Sequence, residues 1–276
     1  MAKPSAAVET AKNYYDSADA DTFYALIWGG EDIHIGLYQG ANDDIAAASQ
    51  RTVAHMAKQL SIKPEARILD LGSGYGGASR YLASNHDVHV TALNLSSVEN
   101  ERHRQLNEKT GLNDTITVID GNFEDIPCPD EHFDIVWSQD AILHSDARET
   151  VLREGDRVLK KKGQFIFTDP MQSDTCPEGV LQPILDRIHL TSLGSPRFYR
   201  TSTSELGWTE RSFEELTEQL VNHYQRVLDE TIQLEAVLHK SVDPHYVERM
   251  KKGLRHWVDG GQAGHLSWGI FHFEKA

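Results

Sequence analysis

Short apolar runs alternate with amphipathic helical segments from about residue 66 to residue 170, and this alternation limits the possible folds more than any other feature of the sequence. When a strand is followed by a helix and then by another strand, the crossover is right-handed and the two strands are parallel. The sequence therefore predicts an α/β fold with a doubly wound, mostly parallel sheet. The predicted strands cover residues 67–71, 88–93, 116–119, 133–137 and 164–168.

Capping residues predict where two helices of this region begin and end. Ser96 and Glu99 form the S-x-x-E pattern of a capping box, and the helix that they open is expected to stop at Gly111. A second helix is expected to open at Asp146 and to end in the lysine-rich segment 159–163, where the helix dipole favours positive charge.

The rest of the chain interrupts this alternation. Residues 171 to about 262 are expected to be mostly helical, and one helix there has Asp243 as its cap and Pro244 in its first turn. Its apolar stripe consists of Val247, Met250, Leu254 and Trp257. Residues 266–273 alternate like a strand and are expected to close the sheet edge. The predicted units are an N-terminal helical flap (1–60), a cofactor-binding α/β core (61–170), a helical lid with the substrate region (171–262) and a C-terminal strand that completes the sheet (263–276).

The most specific local motif is the glycine-rich turn that follows the first predicted strand. Such a turn lets a nucleotide cofactor lie against bare backbone at a helix N-terminus. Gly72, Gly74 and Gly77 also satisfy the G-x-G-x-x-G fingerprint of dinucleotide-binding proteins. A dinucleotide site needs an acidic residue at the end of the second strand, where this chain has Asn94. An NAD-dependent dehydrogenase is therefore disfavoured, whereas Asp70 before the turn suits a positively charged ligand.

Polar side chains follow the fourth predicted strand. Gln139, Asp140 and His144 come directly after it, and open α/β sheets bind their ligands beyond the carboxyl ends of the strands. Buried polar groups at such a place need partners, which a ligand can supply. The three residues are therefore candidate catalytic residues, although His144 has an equally simple interpretation as a structural histidine.

Acidic residues outnumber basic ones by 42 to 27, which gives a net charge of −15 at pH 7. A surface this acidic repels phosphate backbones and anionic lipids, so nucleic acid and membrane partners are disfavoured. The same charge would also fit a cytoplasm rich in salt, where screening relaxes self-repulsion. No secretory signal, membrane span or metal-ligand spacing is visible, and Cys128 and Cys176 are expected to be free thiols. The sequence therefore favours a cytoplasmic monomer or small homo-oligomer that binds a small molecule and needs no metal.

The segment Asp70-Leu71-Gly72-Ser73-Gly74-Tyr75-Gly76 resembles motif I of the class I S-adenosylmethionine-dependent methyltransferases. The resemblance implies a seven-stranded Rossmann-like sheet with a helical lid, and S-adenosyl-L-methionine as a cofactor that leaves as S-adenosyl-L-homocysteine. In that family the ribose is bound by an acid at the place of Asn94. Residues 120–127 are similar to the segment that frames adenine, with Phe123 able to cover the ring. The implied cofactor-binding residues are Trp28, Asp70, Gly72, Gly74, Asn94, Ser96, Asn122, Phe123 and Gln139.

Sequence outside the shared core narrows the resemblance to one family. The chain is identified as a member of the sarcosine/dimethylglycine N-methyltransferases, which form glycine betaine. This resemblance implies N-methylation of sarcosine and N,N-dimethylglycine and a part in osmoprotection. Phosphoethanolamine and cyclopropane-fatty-acid methyltransferases share the core and stay as alternatives, as does a non-catalytic partner protein that only binds the cofactor. The segments that carry the resemblance are 28–38, 137–144, 168–171, 194–200 and 256–269.

The implied reaction predicts two kinds of substrate contact. The carboxylate of the substrate favours an arginine fork, for which Arg200 is the first candidate and Arg197 the second, unless either is only a solvated surface residue. Methyl transfer needs no covalent intermediate, so the candidate catalytic residues are expected to accept or relay the amine proton. The quaternary ammonium of the product favours aromatic faces, and the candidates are Tyr24, Trp28, Tyr38, Tyr199 and Tyr224.

Overall fold

A computed structural model describes residues 16–29, 31–40 and 43–276, and within them the chain forms a central sheet with helices on both sides. Residues 1–15 of the predicted flap, with Tyr14 and Tyr15, lie outside the described residues, as does Gly30. The strands are β1 (Ala66–Leu71), β2 (Val88–Asn94), β3 (Ile116–Asp120), β4 (Phe133–Gln139), β5 (Leu159–Thr168), β6 (Met171–Gln172), β7 (Thr209–Glu215), β8 (Leu266–Ser267) and β9 (Gly269–Glu274).

The helices of the described residues fall into two groups, those that cross between strands and those that cover the end of the sheet. No helix in the described part of the chain is both long and apolar enough to cross a membrane. The helices are α1 (Ala18–Ile27), α2 (Ile45–Gln59), α3 (Gly77–Asn85), α4 (Ser97–Thr110), α5 (Arg148–Val158), α6 (Gln182–Ile188), α7 (Pro196–Glu205), α8 (Thr217–Gln233), α9 (Glu235–Leu238) and α10 (Pro244–Gln262).

The predicted fold class is confirmed by the sheet topology. In the described residues, seven strands lie in the order β3-β2-β1-β4-β5-β9-β7. Strands β1 to β5 are parallel to one another, and β9 is antiparallel to both β5 and β7. All five predicted strands form, extended by one or two residues each except β5, which begins five residues earlier than predicted. The order reverses between β1 and β4, which is the point at which such sheets open a crevice for a ligand.

Three of the predicted helix boundaries are confirmed. The Ser96 hydroxyl accepts the backbone N–H of Glu99 at the start of α4, and Gly111 ends that helix with φ +70°. The Asp243 carboxylate caps α10, in which Pro244 takes the first position. The four residues of the predicted apolar stripe of α10 are buried.

The predicted boundaries of the helix at Asp146 are wrong. The Asp146 carboxylate accepts a hydrogen bond from the Thr191 hydroxyl instead of capping the helix, and the Ser145 hydroxyl takes the backbone N–H of Ala147. Helix α5 ends at Val158, and the lysines that follow belong to β5. The reason is a tertiary contact, because Lys160 binds the Asp134 carboxylate on the neighbouring strand β4.

The prediction for the sheet edge is also wrong, because the C-terminal strand β9 lies inside the sheet. The edge is formed by β7, which falls in the region expected to be helical. Residues 209–215 are mostly polar and only partly buried, so their sequence carries little of the apolar alternation that marks a strand. They form a strand because β9 offers them a backbone partner. The division of the chain into four units stays a prediction.

Helices α1, α8 and α10 share one hydrophobic cluster at the carboxyl end of the parallel strands. Helix α1 with its C-terminal end and helix α10 supply most of its buried side chains, and α8 adds Val227 and Leu228. A second cluster joins α6 to α8 and α10. These helices therefore enclose the space above the sheet crevice.

Candidate active site

A cleft with about 790 Å³ of empty space opens at the carboxyl ends of β1, β2 and β4. The turn after β1, the connection from β2 to α4, the loop after β3 and the segment after β4 form its walls. Among its lining residues are Gly72, Gly74, Asn94, Ser96, Glu99, Asn122, Phe123, Gln139, Asp140 and His144. All of these except Glu99 were predicted site residues, and the structure brings them together.

The turn after β1 presents bare backbone to the cleft. Gly72 and Gly74 both have positive φ, at +74° and +51°, which side-chain-bearing residues rarely adopt. A Cβ atom on Gly72 would lie 2.4 Å from the Cβ of Ala141 in the segment after β4. Position 72 therefore accommodates glycine and no larger residue, for two separate reasons. The backbone has a positive φ, and the opposite wall of the cleft leaves no room for a Cβ atom.

Asp70 does not line the cleft, contrary to the prediction that it contacts the cofactor. Its carboxylate is buried and accepts a hydrogen bond of 2.6 Å from the Ser79 hydroxyl in α3. Burial raises the pKa of Asp70 to about 6. Because Asp70 is the penultimate residue of β1 and Ser79 lies in the first turn of α3, this bond fixes the helix to the strand across the glycine turn. Asp70 is thus a positioning residue for the cleft.

A carboxylate does lie beside Asn94, and it comes from Glu99. The Asn94 amide donates to Glu99 Oε2 at 2.9 Å, so the side chain of Glu99 turns towards the cleft and does not complete the capping box. Ser96 donates to the Asp16 carboxylate at 2.7 Å, which ties the start of α1 to the rim. Sequence reasoning assigned Glu99 only to the helix cap. Glu99 lies about one helical turn after the end of the second strand, and this spacing could have predicted that its carboxylate reaches the position beside Asn94.

Two buried polar atoms of the cleft have no hydrogen-bond partner in the described residues. Gln139 Oε1 accepts from the Trp137 indole at 3.0 Å, but the Nε2 donor of Gln139 is unpaired. The Ser73 hydroxyl in the glycine turn is unpaired as well. Burying such groups is unfavourable unless a partner is supplied. A ligand with oxygen acceptors would satisfy both.

Asp140 holds two segments of the chain together. Its carboxylate accepts from the backbone N–H of Ile35 at 2.8 Å and from the Trp268 indole at 2.7 Å, and its backbone has φ +50°. The two hydrogen bonds fix the loop before α2 and the bend between β8 and β9. Both carboxylate oxygens thus position neighbouring segments at the end of β4. Asp140 also lines the cleft and the inner pocket, and its role in proton transfer stays a prediction.

His144 ends a short 3-10 helix, Ile142–His144, and lies where the cleft meets a second cavity. Burial, with a further contribution from Arg148, lowers the pKa of His144 to about 4. The imidazole is therefore neutral at physiological pH and can accept a hydrogen bond. His34 lies at the same junction, with its Nε2 3.7 Å from Asp32 Oδ1.

The second cavity, which we call the inner pocket, has about 590 Å³ of empty space beneath α1, α8 and α10. It shares Ile33, His34, Asp140 and His144 with the cleft, so the two spaces are adjacent. Its other lining residues are Tyr24, Trp28, Ile35, Leu143, Pro170, Arg187, Ile188, His223, Tyr224, Met250, Leu254 and Trp257. The wall is thus mostly aromatic and aliphatic.

The predicted aromatic substrate residues divide into two groups. Tyr24, Trp28 and Tyr224 line the inner pocket. Trp28 does not line the cleft, where it was also expected to bind the cofactor. Tyr38 lies behind the pocket wall, with its hydroxyl 2.9 Å from Nδ1 of His223. Tyr199 is buried in the core of the sheet, where its hydroxyl donates to Asp169 at 2.6 Å. Tyr199 therefore faces neither space.

The two arginines predicted to bind the substrate carboxylate lie outside both the cleft and the inner pocket. Arg200 is exposed, pairs with Glu210 at 2.9 Å and stacks on the ring of Phe213, so it lines neither space. Arg197 is also exposed and outside both walls. The structure instead brings Arg187 of α6 into the inner pocket. Its sequence context, a charged residue near the end of a short apolar helix, gave no sign of this.

Comparison with known proteins agrees with the geometry. Residues 69–167 match the family model described as "Methyltransferase domain". The sarcosine/dimethylglycine N-methyltransferase of Halorhodospira halochloris is 56% identical, and the match covers 98% of this chain and 97% of that protein. The enzyme of the same name from Aphanothece halophytica is 51% identical over the whole of both chains.

The fold is also similar to that of a solved structure over nearly the whole chain. The provisionally named sarcosine dimethylglycine methyltransferase from Galdieria sulphuraria superposes with a TM-score of 0.91 at 42% identity, over 95% of this chain and 99% of that chain. The matches at these identities include the helices of the inner pocket and not only the sheet. The chain therefore belongs to the sarcosine/dimethylglycine N-methyltransferase family.

Proposed function

We propose that this protein is an S-adenosylmethionine-dependent N-methyltransferase that converts sarcosine and N,N-dimethylglycine to glycine betaine. The observation that carries the proposal is the 56% identity that extends over both the cleft and the inner pocket. A cofactor cleft next to a mostly apolar pocket is what methyl transfer to a small amine requires, because the two reactants must meet and water must be kept out.

The residues of the cleft fit S-adenosylmethionine. The bare backbone at Gly72 and Gly74 allows a close approach, and the unpaired Nε2 of Gln139 can donate to an oxygen of the cofactor. Asn94 and Glu99 together can bind ribose hydroxyls. Ser96, Asn122 and Phe123 complete the proposed binding set, with the ring of Phe123 available to the adenine.

Glu99 gives this assignment a direct test. We expect Glu99→Gln to weaken S-adenosylmethionine binding by about 10-fold, since a charge-assisted hydrogen bond to a hydroxyl becomes a neutral one. Isothermal titration calorimetry measures the change. Glu101→Gln, an exposed position on the same helix, is the matched control and should bind normally. Equal affinity in the Glu99 variant and the wild type would remove Glu99 from the site.

The same variant has an expected effect on stability without ligand. Burial raises the pKa of Glu99 to about 7 from 4.5, so the folded state binds a proton that the unfolded state releases. Glu99 therefore lowers the stability of the wild type as pH rises from about 4.5 to 7, by up to roughly 3 kcal/mol. Thermal unfolding should show that Glu99→Gln is more stable than the wild type at pH 8 but not at pH 4.5.

In the proposed reaction the protein holds the amine at the junction of the cleft and the inner pocket. When bound, S-adenosylmethionine supplies a sulfonium methyl group that passes to the lone pair of the unprotonated nitrogen as the carbon–sulfur bond breaks. A substrate that arrives as the ammonium ion must first lose its proton, and its N–H can donate a hydrogen bond to His144 at this junction. With a pKa of about 4, however, His144 cannot retain the proton, because taking it from an alkylammonium of pKa about 10 costs roughly 8 kcal/mol. We therefore assign His144 the relay of the proton towards solvent.

Product analysis tests the proposed function. Glycine, sarcosine, N,N-dimethylglycine and phosphoethanolamine are offered side by side with labelled S-adenosylmethionine. We expect glycine betaine from sarcosine and from dimethylglycine. Methylation of phosphoethanolamine alone would overturn the assignment of the substrate, and absence of any turnover would favour a non-catalytic cofactor-binding protein.

We also propose that the enzyme works in the cytoplasm on its small-molecule amine, without nucleic acid or membrane partners and without a metal. The net charge of −15 supports the absence of nucleic acid and membrane partners, since it repels nucleic acids and anionic membranes. Methyl transfer from a sulfonium is already favourable without a Lewis acid, which supports a reaction without a metal. The expected monomer or small homo-oligomer can be checked by light scattering.

A further inference from the structure

We infer that Arg187 binds the carboxylate of the substrate and so restricts the enzyme to amines that carry one. This inference rests on the proposed function, because it concerns the amino acid that is methylated. It differs from the sequence-based expectation, which placed the clamp in α7 at Arg200 or Arg197.

The side chain of Arg187 is held at the wall of the inner pocket by α10. A Cβ atom on Gly253 would lie only 2.2 Å from both Cδ and Nε of Arg187, so the stem of the arginine packs directly on the backbone of that helix. Nη2 of Arg187 lies 2.8 Å from the sulfur of Met250. The half-buried guanidinium is therefore already confined before a substrate binds, which reduces the entropy lost in forming a fork with a carboxylate.

Arg187 also supplies the positive charge of the site. Among the described residues that line the cleft or the inner pocket, it is the only lysine or arginine. The histidines there are neutral at pH 7, because burial lowers the pKa of His34 and His144 to about 4 and that of His223 to about 3. An anion that enters the inner pocket therefore meets one fixed cation, the guanidinium of Arg187.

The size of the proposed substrates places their two ends in this one pocket. The nitrogen and the carboxylate of sarcosine are joined through a single carbon, so a nitrogen held near His144 leaves the carboxylate in the inner pocket. The rings of Trp28, Tyr224 and Trp257 suit the methylated ammonium end, but they do not neutralise a carboxylate. Arg187 can do so, and an amino alcohol of the same size would gain nothing from it.

The test compares Arg187→Met with Arg200→Met as a matched control. Dimethylglycine and N,N-dimethylethanolamine are assayed as substrates, and dimethylglycine binding is titrated calorimetrically in the presence of S-adenosylhomocysteine. For Arg187→Met we expect the KM and the Kd of dimethylglycine to rise by about 10- to 100-fold. The affinity for S-adenosylhomocysteine and the low kcat/KM for N,N-dimethylethanolamine should stay within about threefold, and Arg200→Met should behave like the wild type throughout.

The outcomes separate this inference from the proposed function. If the wild type does not methylate dimethylglycine, the proposed function itself fails. If the wild type does so and Arg187→Met keeps its KM and Kd, the clamp is overturned. Should Arg187→Met fail to fold, Arg187→Lys decides, because it keeps the stem and the charge but loses the fork. A rise of about 10-fold in the KM of dimethylglycine then supports the clamp, and an unchanged KM overturns it.

Discussion

Replacing Gly72 with valine is expected to abolish measurable binding of S-adenosylmethionine. The new side chain meets Ala141 across the cleft, where a Cβ atom alone comes within 2.4 Å, and φ of +74° is strained for a β-branched residue. The turn must move, and the bare backbone that the cofactor approaches is lost. We expect an affinity loss of at least about 100-fold, since two such strains together exceed roughly 3 kcal/mol. Calorimetric titration with S-adenosylmethionine measures it.

Gly111→Ala is the matched control for this variant. Gly111 has nearly the same φ, +70°, but it caps α4 away from the cleft and a Cβ there would meet nothing within 4 Å. Its replacement should lower the stability by about 1 kcal/mol and leave cofactor binding unchanged. A folded Gly72→Val protein that binds the cofactor as the wild type does would show that the turn after β1 is not part of the site.

Replacing His144 with alanine is expected to lower kcat for dimethylglycine by about 100- to 10,000-fold, the range usual for the loss of a proton-transfer group. Binding of S-adenosylhomocysteine should change little, because the relay acts on the amine. His89→Ala, an exposed position on β2, is the control and should retain activity. A kcat within threefold of the wild type would return His144 to the structural role that the sequence also allowed.

The pH profile of the wild type provides a further check on His144. Because its pKa is about 4, no inflection from this imidazole is expected between about pH 6 and 9. In that range log(kcat/KM) should rise with a slope near 1, as the amine of the substrate loses its proton. A plateau that begins near pH 6.5 would mean that a histidine with an ordinary pKa limits the reaction.

The cofactor cleft could largely be predicted from the sequence because its parts are local. The glycine turn follows β1 within three residues, and Asn94, Ser96 and Gln139 lie at strand ends that any doubly wound sheet brings to one edge. The sequence did not predict the partners of two carboxylates at this end of the sheet. Asp70 accepts a hydrogen bond from Ser79, and Glu99 accepts one from Asn94, and both partners are known only once the helices pack against the strands.

Elements that depend on distant partners were the ones that could not be predicted. Strand β7 has a polar sequence and exists because β9 pairs with it, and the lysines after α5 become part of β5 through the contact between Lys160 and Asp134. In both cases the strand is stabilised by a backbone or ion-pair partner that is distant in the sequence. The hydrophobic periodicity of the segment itself therefore does not predict the strand.

The sequence by itself determined the α/β class, the glycine turn and the set of polar strand ends that forms the cleft. Only the tertiary structure decided which side chains face the inner pocket. Arg187 and Arg200 both belong to short helices between β6 and β7, and their local sequences give no reason to prefer one. Packing separates them, because Gly253 leaves room for the stem of Arg187 inside, while Phe213 and Glu210 hold Arg200 on the outside. The direction of a long flexible side chain is set by such contacts between distant segments, and these form only when the helices dock.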